Sequence, residues 1–278
     1  MPADLRRGDR GDEVSRLQRL LNKVGGLLPE DDAFGPQTED AVRDAQTMAG
    51  LPPSGIADAA LTGWLEAQPD PNPVIPPGAI AYIAREEVSS RAAYKANYHR
   101  PVWPGGESGV TIGIGYDLRM QSAQRYEADW GDLLPVADLD ALRACLGKPG
   151  NAALADSLRA CSIPLAAAWI NFASRVLPRY VDDTRRAFGG SLFDDLPPLC
   201  RGALVSLVYN RGAQLDEPPP RDRRREMRAI RDHIARGDLA RVADEFRAMK
   251  RLWPNAAGLR ARRDREADMW TLGMTGPA

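Results

Sequence analysis

The apolar positions of the first 67 residues recur at the spacing of α-helices. A first helix is predicted between a capping Asp12 and a terminating Gly25, a second begins at Thr38 as N-cap, and a third crosses residues 58–64. The apolar stripes comprise Val14, Leu17, Leu20, Leu21 and Val24 in the first helix and Ala41, Val42, Ala45 and Met48 in the second. Three short helices of this kind predict a small module with its own core.

A proline-rich stretch, QPDPNPVIPPG, follows at residues 68–78. Its five prolines cannot propagate a helix and favour extended backbone. We therefore predict a domain boundary there, with a three-helix module over residues 1–67, a linker over 68–78 and a second domain over 79–273.

The second domain opens with a predicted helix, AIAYIAREEVSSRAAY, that carries two adjacent glutamates. Helical periodicity places Glu87 on the face of Ile80 and Ile83, whereas Glu86 falls about 100° away, toward solvent. Burial disfavours the charged form of a carboxyl group, which suits a proton donor near neutral pH. Periodicity alone favours the alternative that both glutamates are solvated surface charges.

A β-rich run, SGVTIGIGYDLRM, interrupts this helical pattern at residues 108–120. Its bulky residues alternate with Thr111, Gly113 and Gly115, which predicts a short strand with one apolar face and one bare face. Glycines inside a strand mark a place where another group approaches closely. A tight junction between a strand and a helix explains the same glycines equally well.

Composition limits the cofactors and the location. No window approaches the roughly 18 apolar residues of a membrane span, and the first residues lack the apolar core of a signal peptide. We therefore expect synthesis in the cytoplasm, with any external action following release by another route. Few cysteines (Cys145, Cys161 and Cys200) and two distant histidines (His99 and His233) indicate buried thiols and neither a metal nor another cofactor.

The first segment resembles the three-helix peptidoglycan-binding module, whose signature is L-x-x-G-x-x-G-x-x-V-x-x-L-Q followed by D-G-x-F-G-x-x-T-x-x-A-V. The matching residues are Leu5, Gly8, Gly11, Val14, Leu17 and Gln18, then Asp31, Phe34, Gly35, Thr38, Ala41 and Val42, and finally Gln46, Gly50, Leu51 and Gly55. Asp32 stands where the family has glycine, and Ala45 where it has an aromatic residue. The resemblance implies that this module holds peptidoglycan.

The second segment resembles the phage-type lysozymes, in which a Glu and, seven residues beyond it, a Tyr precede T-I-G-I-G. The matching residues are Glu87, Tyr94, Thr111, Ile112, Gly113, Ile114 and Gly115. In those lysozymes the catalytic aspartate precedes the threonine, but here Glu107 is the only acid between Glu87 and Thr111. In the related pesticin-like branch the aspartate follows the strand, at the position of Asp117 in this chain.

The resemblance continues to residue 270. LCRGALVSLVYNRG, residues 199–212, is similar to the A-L-x-S-x-x-F/Y-N-x-G core helix of the lysozyme family, and residues 249–270 are similar to its closing pattern. The resemblance implies that Glu87 is the general acid and that Asp117 and Thr111 position and activate a water molecule, with Glu107 as the alternative carboxylate. The implied substrate-binding residues are Tyr94, Gly113, Gly115 and Asn210.

These resemblances imply a mainly α fold, in which a three-helix peptidoglycan-binding module is linked to a lysozyme-like α+β domain with a small β-sheet lobe. They imply a monomeric muramidase of the endolysin type, which lyses bacterial walls by cleaving the β-1,4 bond between N-acetylmuramic acid and N-acetylglucosamine. A non-catalytic peptidoglycan-binding protein on a lysozyme scaffold and a lytic transglycosylase remain open. A phage endolysin and a bacterial effector injected into rivals also remain open.

Charge adds one feature to this picture. Residues 221–265 hold 15 Lys and Arg against 7 Asp and Glu, in a chain whose net charge is -1. Because the basic residues mix with acids at helical spacing and no aromatic platform accompanies them, a solvated helix face is favoured over nucleic-acid binding. Such a surface is also suited to attract anionic polymers of the cell wall.

Overall fold

The computed structural model describes residues 4–216 and 222–276, which are mostly helical with a single two-stranded sheet in that part of the chain. In chain order the elements are α1 (Asp12–Lys23), α2 (Pro36–Met48), α3 (Ala59–Ala67), α4 (Pro77–Val88), α5 (Arg91–Ala93), β1 (Thr111–Ile112), β2 (Tyr116–Asp117), α6 (Ala123–Trp130), α7 (Val136–Arg143), α8 (Ala152–Ser157), α9 (Leu165–Asn171), α10 (Leu177–Ala187), α11 (Ser191–Asp194), α12 (Pro198–Arg211), α13 (Arg225–Arg236), α14 (Val242–Ala248) and α15 (Ala257–Thr275). Short π-helical turns cover Tyr94–Tyr98 and Phe172–Val176, and 3₁₀ turns cover Leu118–Met120, Leu239–Arg241 and Met249–Leu252. The mainly α fold class is confirmed.

The chain forms two compact units. The first comprises Met1–Pro71 and Ile80–Val176, and the second comprises Asn72–Ala79 and Leu177–Ala278. These two units do not test whether the segments on either side of residues 68–78 fold independently. The domain boundary predicted there therefore stays a prediction.

The N-terminal module is the predicted three-helix bundle. Its core consists of apolar side chains from all three helices and their loops, among them Val14, Leu17, Leu21, Phe34, Val42, Leu61 and Leu65. Asp58 caps α3, accepting a hydrogen bond from the backbone N–H of Leu61 at 2.9 Å. The predicted caps Asp12 and Thr38 are both wrong, because Gly11 and Gly35 occupy the N-cap positions of α1 and α2. Pro36 follows Gly35 directly, where its missing N–H costs no hydrogen bond.

Buried amides hold the loops of this module. The Gln18 side chain donates to Oδ1 of Asp31 at 2.7 Å and accepts from the backbone N–H of Asp31 at 2.9 Å. In the same manner Gln46 donates to the carbonyl of Ile56 at 2.9 Å and accepts from the N–H of Gly55 at 3.0 Å. These signature residues therefore have structural roles, since each satisfies buried backbone groups of a turn.

Within the first unit, the module packs directly against residues that follow the linker. Arg91, only 5% exposed, donates hydrogen bonds to the Gly25 carbonyl and the Asp44 carboxylate. Lys95 Nζ lies 2.8 Å from the Asp44 carboxylate, and Trp169 Nε1 donates to the Lys23 carbonyl at 3.0 Å. The module is thus docked on this part of the chain and is not held by a tether alone.

The electrostatics of this contact are favourable. Burial acts to raise the pKa of Asp44, but the hydrogen bonds and positive charges of Lys95 and Arg91 outweigh it and hold that pKa below its ordinary value. Gly25 contributes by its lack of a side chain, because a Cβ there would lie 3.0 Å from Cγ of Trp169.

The second unit is built from α10 to α15, with α15 packed along α12 and α14. Glu266 on α15 is fully buried, where it accepts from Ser206 at 2.6 Å and pairs with Arg263 at 2.9 Å. Burial raises the pKa of Glu266, while both arginines beside it, Arg262 and Arg263, act to lower it. Elsewhere in the chain Cys145, Cys161 and Cys200 are all buried and free, as predicted.

Candidate active site

Glu87 lies in the last turn of α4, at the corner where the chain turns into α5. The preceding turns of this helix are buried, including Ile80, Ile83 and Ala84, which confirms the predicted apolar face. Ser89 ends the helix in a left-handed conformation at φ 65°. The expected difference in burial between the two glutamates is wrong, because Glu86 and Glu87 are both half-buried in the last turn of α4.

The predicted strand is a hairpin. Thr111 and Ile112 form β1, Tyr116 and Asp117 form β2, and residues 113–115 make the turn between them. The register pairs Thr111 with Asp117 across the antiparallel ladder. Directly opposed residues project their side chains from the same face of such a pair. The register therefore places Thr111 and Asp117 on one face of the hairpin.

Backbone donors fix the Asp117 carboxylate. It accepts from the N–H of Gly109 at 3.1 Å and from the N–H of Arg119 at 2.9 Å, so it caps the 3₁₀ turn that follows the hairpin. A side chain on Gly109 would lie 2.4 Å from this carboxylate, so glycine is required at that position. Asp117 thus has a structural function whatever its chemical one.

Thr111 retains capacity for a ligand. Its backbone pairs with Val102 on the side away from Asp117, with N–H to carbonyl distances of 2.8 and 3.0 Å. Its half-buried hydroxyl makes no hydrogen bond with any other described residue. A hydroxyl in this state can hold a water molecule beside a carboxylate.

Glu107, the alternative carboxylate, lies on the loop before the hairpin. Its side chain is 97% exposed and pairs with Arg119 at 3.3 Å. Arg119 also donates to the backbone carbonyl of Glu107. An ion pair this exposed to water contributes little energy and leaves the carboxylate loosely positioned.

Two predicted substrate-binding residues lie in the core instead. Tyr94 is fully buried, its hydroxyl donates to the Ile163 carbonyl at 2.9 Å, and burial raises its pKa. Gly113 is buried with φ 60°, and a Cβ there would lie 2.9 Å from the ring of Trp130. Substrate contact by either residue does not fit this burial. Gly113 is glycine because of the turn and the indole.

Gly115 and Asn210 remain accessible. Gly115 is the exposed third residue of the hairpin turn, with φ 69°. Asn210 is half-buried in the last turn of α12 in the second unit, where it accepts from Nη2 of Arg263 at 3.3 Å and lines a cavity of about 320 Å³. Neither residue's predicted role in substrate binding is tested by these contacts.

A cluster of polar and aromatic side chains that the sequence did not predict supports the hairpin from behind. The Tyr116 hydroxyl donates to the buried Asp129 carboxylate at 2.8 Å, and the Tyr116 ring meets Trp130 edge-on at a centroid distance of 5.6 Å. Asn171 completes this cluster by donating to the Asp129 carbonyl at 3.0 Å. The signal was present only as adjacent Asp and Trp residues in a predicted helix, which no motif distinguishes from an ordinary amphipathic turn.

A second cavity, of about 260 Å³, lies in the N-terminal module. Its lining comes from α1, from the start of α3 and from the segments before them, and comprises Leu5, Glu13, Arg16, Leu17, Leu20, Ala57, Asp58, Ala59 and Thr62. The lining combines apolar side chains with the charged residues Glu13, Arg16 and Asp58.

Comparisons with known proteins bear mainly on the module. Residues 10–65 match the family model of a peptidoglycan binding domain, so the N-terminal helices are a domain of that type. No curated protein matches the chain. Among solved structures, the crystal structure of Burkholderia AP3 phage endolysin is 19% identical, the match covering 97% of this chain and 99% of that chain with a TM-score of 0.23. At this TM-score the likeness carries no argument about fold or activity.

Two further properties concern the described residues alone. Over residues 4–216 and 222–276, no helix combines the length and the hydropathy needed to cross a bilayer. Within the same ranges, no group of three or more His, Cys, Asp or Glu side chains is arranged to hold a metal ion.

Proposed function

We propose that the protein is a peptidoglycan hydrolase that cleaves the β-1,4 bond between N-acetylmuramic acid and N-acetylglucosamine. The register that opposes Thr111 and Asp117 carries the proposal, since it gives a hydroxyl and a carboxylate one common face. Glu87 belongs to the same compact unit as this hairpin. The peptidoglycan binding domain at residues 10–65 supports the wall as substrate.

In this proposal the three side chains divide the work of glycoside hydrolysis. Glu87 donates a proton to the leaving glycosidic oxygen, and Asp117 and Thr111 hold a water molecule for attack on the anomeric carbon. The backbone bonds from Gly109 and Arg119 keep the Asp117 carboxylate in one orientation during the reaction. The N-terminal module holds the glycan while the chain acts as a monomer on the wall, after release from the cytoplasm as an endolysin.

The first prediction concerns Glu87→Gln. This change keeps the shape of the side chain but removes its proton, so we expect at least a hundredfold loss of turnover with an unchanged unfolding midpoint. Mass spectrometry of the soluble products from purified peptidoglycan measures the loss, and borohydride reduction of the new ends identifies the bond cleaved. If a correctly folded variant retained its turnover, Glu87 would not be the general acid.

One observation favours a second candidate, a lytic transglycosylase. The Asp117 carboxylate is already engaged by two backbone donors, which is the arrangement expected if its role is purely structural. A transglycosylase needs one acid and leaves an anhydro sugar, so its products are lighter by one water molecule. The same mass spectra distinguish the two reactions, and a protein that releases no products is a wall-binding protein.

A further inference from the structure

The second compact unit contains a cavity that the proposed catalytic residues do not line. It has a volume of about 320 Å³. Three separate segments form its walls. They are the end of α12, the residues just before α13, and the turn before α15 together with the first residues of that helix. The lining residues are Asn210, Arg211, Arg223, Arg224, Trp253 and Leu259.

The arginines give this cavity an excess of positive charge. Burial lowers the pKa of Arg211 to about 10, and the guanidinium groups of Arg224, Arg263 and Arg223 act in the same direction. Among the described residues, Arg211 and Arg224 form no ion pair with a carboxylate. The nearby Glu226 is occupied by Arg251, at 2.5 Å. An anion in the cavity would relieve this repulsion.

Arg211 is held in place but keeps donors for a ligand. Its guanidinium carbon lies 4.9 Å from the centroid of the Trp253 ring, and its Nη2 donates to the Arg223 carbonyl at 2.5 Å. Its buried Nε has no acceptor within the part of the chain that the structure describes. An acceptor that reaches this buried donor would offset the free-energy cost of leaving it unpaired.

We propose that this cavity binds a carboxylate of the wall's stem peptides, which would give the second unit a peptide-recognising site of its own. Stem peptides are the part of peptidoglycan that carries free carboxylates. The proposal rests on the proposed function, because that function supplies peptidoglycan as the ligand.

The composition of the walls favours a carboxylate over a phosphate. A planar carboxylate matches the fork of a guanidinium, and Arg211 is preoriented by its contact with Trp253. Trp253 and Leu259 offer apolar surface to the aliphatic carbons that a peptide carries next to its acid, and the Asn210 amide can pair with a peptide bond. A phosphate group would leave those apolar walls without a partner.

Isothermal titration of the full chain with two soluble stem tetrapeptides tests the proposal. One peptide has free carboxylates, and the other has the same sequence with its carboxylates amidated. We expect binding of the first peptide and at least tenfold weaker binding of the second, since amidation replaces charge-assisted hydrogen bonds with weaker neutral ones. Arg211→Gln should lower the affinity for the free peptide by about tenfold or more.

The matched control is Arg241→Gln, an exposed arginine in the same unit, which should bind the free peptide as the wild type does. Thermal unfolding checks that Arg211→Gln is folded, and the free peptide should raise the midpoint of the wild type but not of this variant. Equal binding of both peptides, or an Arg211→Gln variant that binds normally, overturns the proposal. Inorganic phosphate that competes at the same concentration as the peptide overturns it too.

The outcome is separable from that for the proposed function. Peptide binding is also measured with Glu87→Gln, which should be inactive on the wall but should retain the affinity. Arg211-dependent binding in a protein that releases no wall fragments would support the cavity and reject the hydrolase. Hydrolysis accompanied by equal affinity for free and amidated peptides would reject the cavity alone.

Discussion

The carboxylate of Asp117 lies between two backbone donors, the N–H groups of Gly109 and Arg119. Each donor belongs to a segment adjoining the hairpin, so the side chain ties the preceding loop and the following turn together. A residue in this position can be required for structure, for chemistry or for both. Separate measurements of stability and turnover distinguish these functions.

Asp117→Asn keeps one carbonyl oxygen for a backbone donor and removes the negative charge. We expect turnover on peptidoglycan to fall by about a hundredfold or more, because the water loses its anionic partner. The unfolding midpoint should fall only slightly. Product release per folded molecule is the measurement.

Glu107→Gln serves as the comparison, because Glu107 is 97% exposed and pairs only loosely with Arg119. We expect turnover to be nearly unchanged in this variant. A large loss in Glu107→Gln combined with normal turnover in Asp117→Asn would transfer the second carboxylate role to Glu107.

At the scale of single residues, the sequence predicted types of chemistry better than exposure. The burial of Tyr94 could not be foreseen, because it depends on the Ile163 carbonyl, 69 positions further along the chain. The arginine-lined cavity could not be predicted for the same reason, because its walls come from three segments that are distant in the sequence. The excess of basic residues at positions 221–265 was interpreted as a solvated helix face. Arg211, which precedes that range, is however partly buried.

The hairpin is the element in which the structure departs furthest from the predicted pattern. The alternation of isoleucine and glycine at residues 110–115 predicted one continuous strand, but the chain reverses at residues 113–115. Gly113 and Gly115 have positive φ angles, at 60° and 69°. Left-handed residues in a short connection are typical of hairpin turns, and the periodicity of two residues is too brief here to separate a strand from a turn.

Gly113→Ala tests this explanation. The left-handed backbone costs a non-glycine residue about 1–2 kcal/mol, and the new Cβ would lie 2.9 Å from Trp130. We therefore expect the free energy of unfolding to fall by about 2 kcal/mol or more in urea denaturation.

The control for that variant is Gly63→Ala within α3, where a Cβ would meet no atom within 4 Å. Alanine is the better helix former, so the control should be neutral or slightly stabilising. A Gly113→Ala variant as stable as the wild type would show that neither the turn nor the indole requires glycine.

At the scale of the whole molecule, the N-terminal helices were predictable because apolar periodicity and glycine spacing act locally. The contacts between these helices and the rest of the first unit were not predictable. A proline-rich stretch predicts separate domains, and it carries no information about which surfaces of those domains pack together. Arg91, Lys95 and Trp169 make those contacts in the first unit. Of these, Arg91 and Trp169 are almost completely buried.

Arg91→Gln should destabilise the protein by about 2–3 kcal/mol, because it leaves Asp44 and the Gly25 carbonyl without their principal donor. The pKa of Asp44 is lowered in the folded state, so its pairing contributes stability above the pKa of the unfolded chain, about 4, and that contribution is lost as the pH falls further. The difference between wild type and variant should therefore narrow from pH 7 to pH 3. Urea unfolding at both pH values measures it.

Arg159→Gln is a suitable control for that experiment, since Arg159 is an exposed arginine paired with Asp156 at 3.1 Å on the surface of the same unit. It should leave the unfolding midpoint unchanged at both pH values. An Arg91→Gln variant with the same behaviour as Arg159→Gln would mean that the docked arrangement does not exist in solution.

The docking of the N-terminal module also limits how this protein can exchange parts with others. Domains joined only by a flexible linker can be exchanged freely, because neither domain has a surface that is complementary to the other. Here a foreign binding module would have to supply an acceptor at the position of the Gly25 carbonyl and an acid at that of Asp44, or leave Arg91 buried without them. Chimeras that graft a new wall specificity onto this chain should therefore carry residues 91, 95 and 169 from the donor as well.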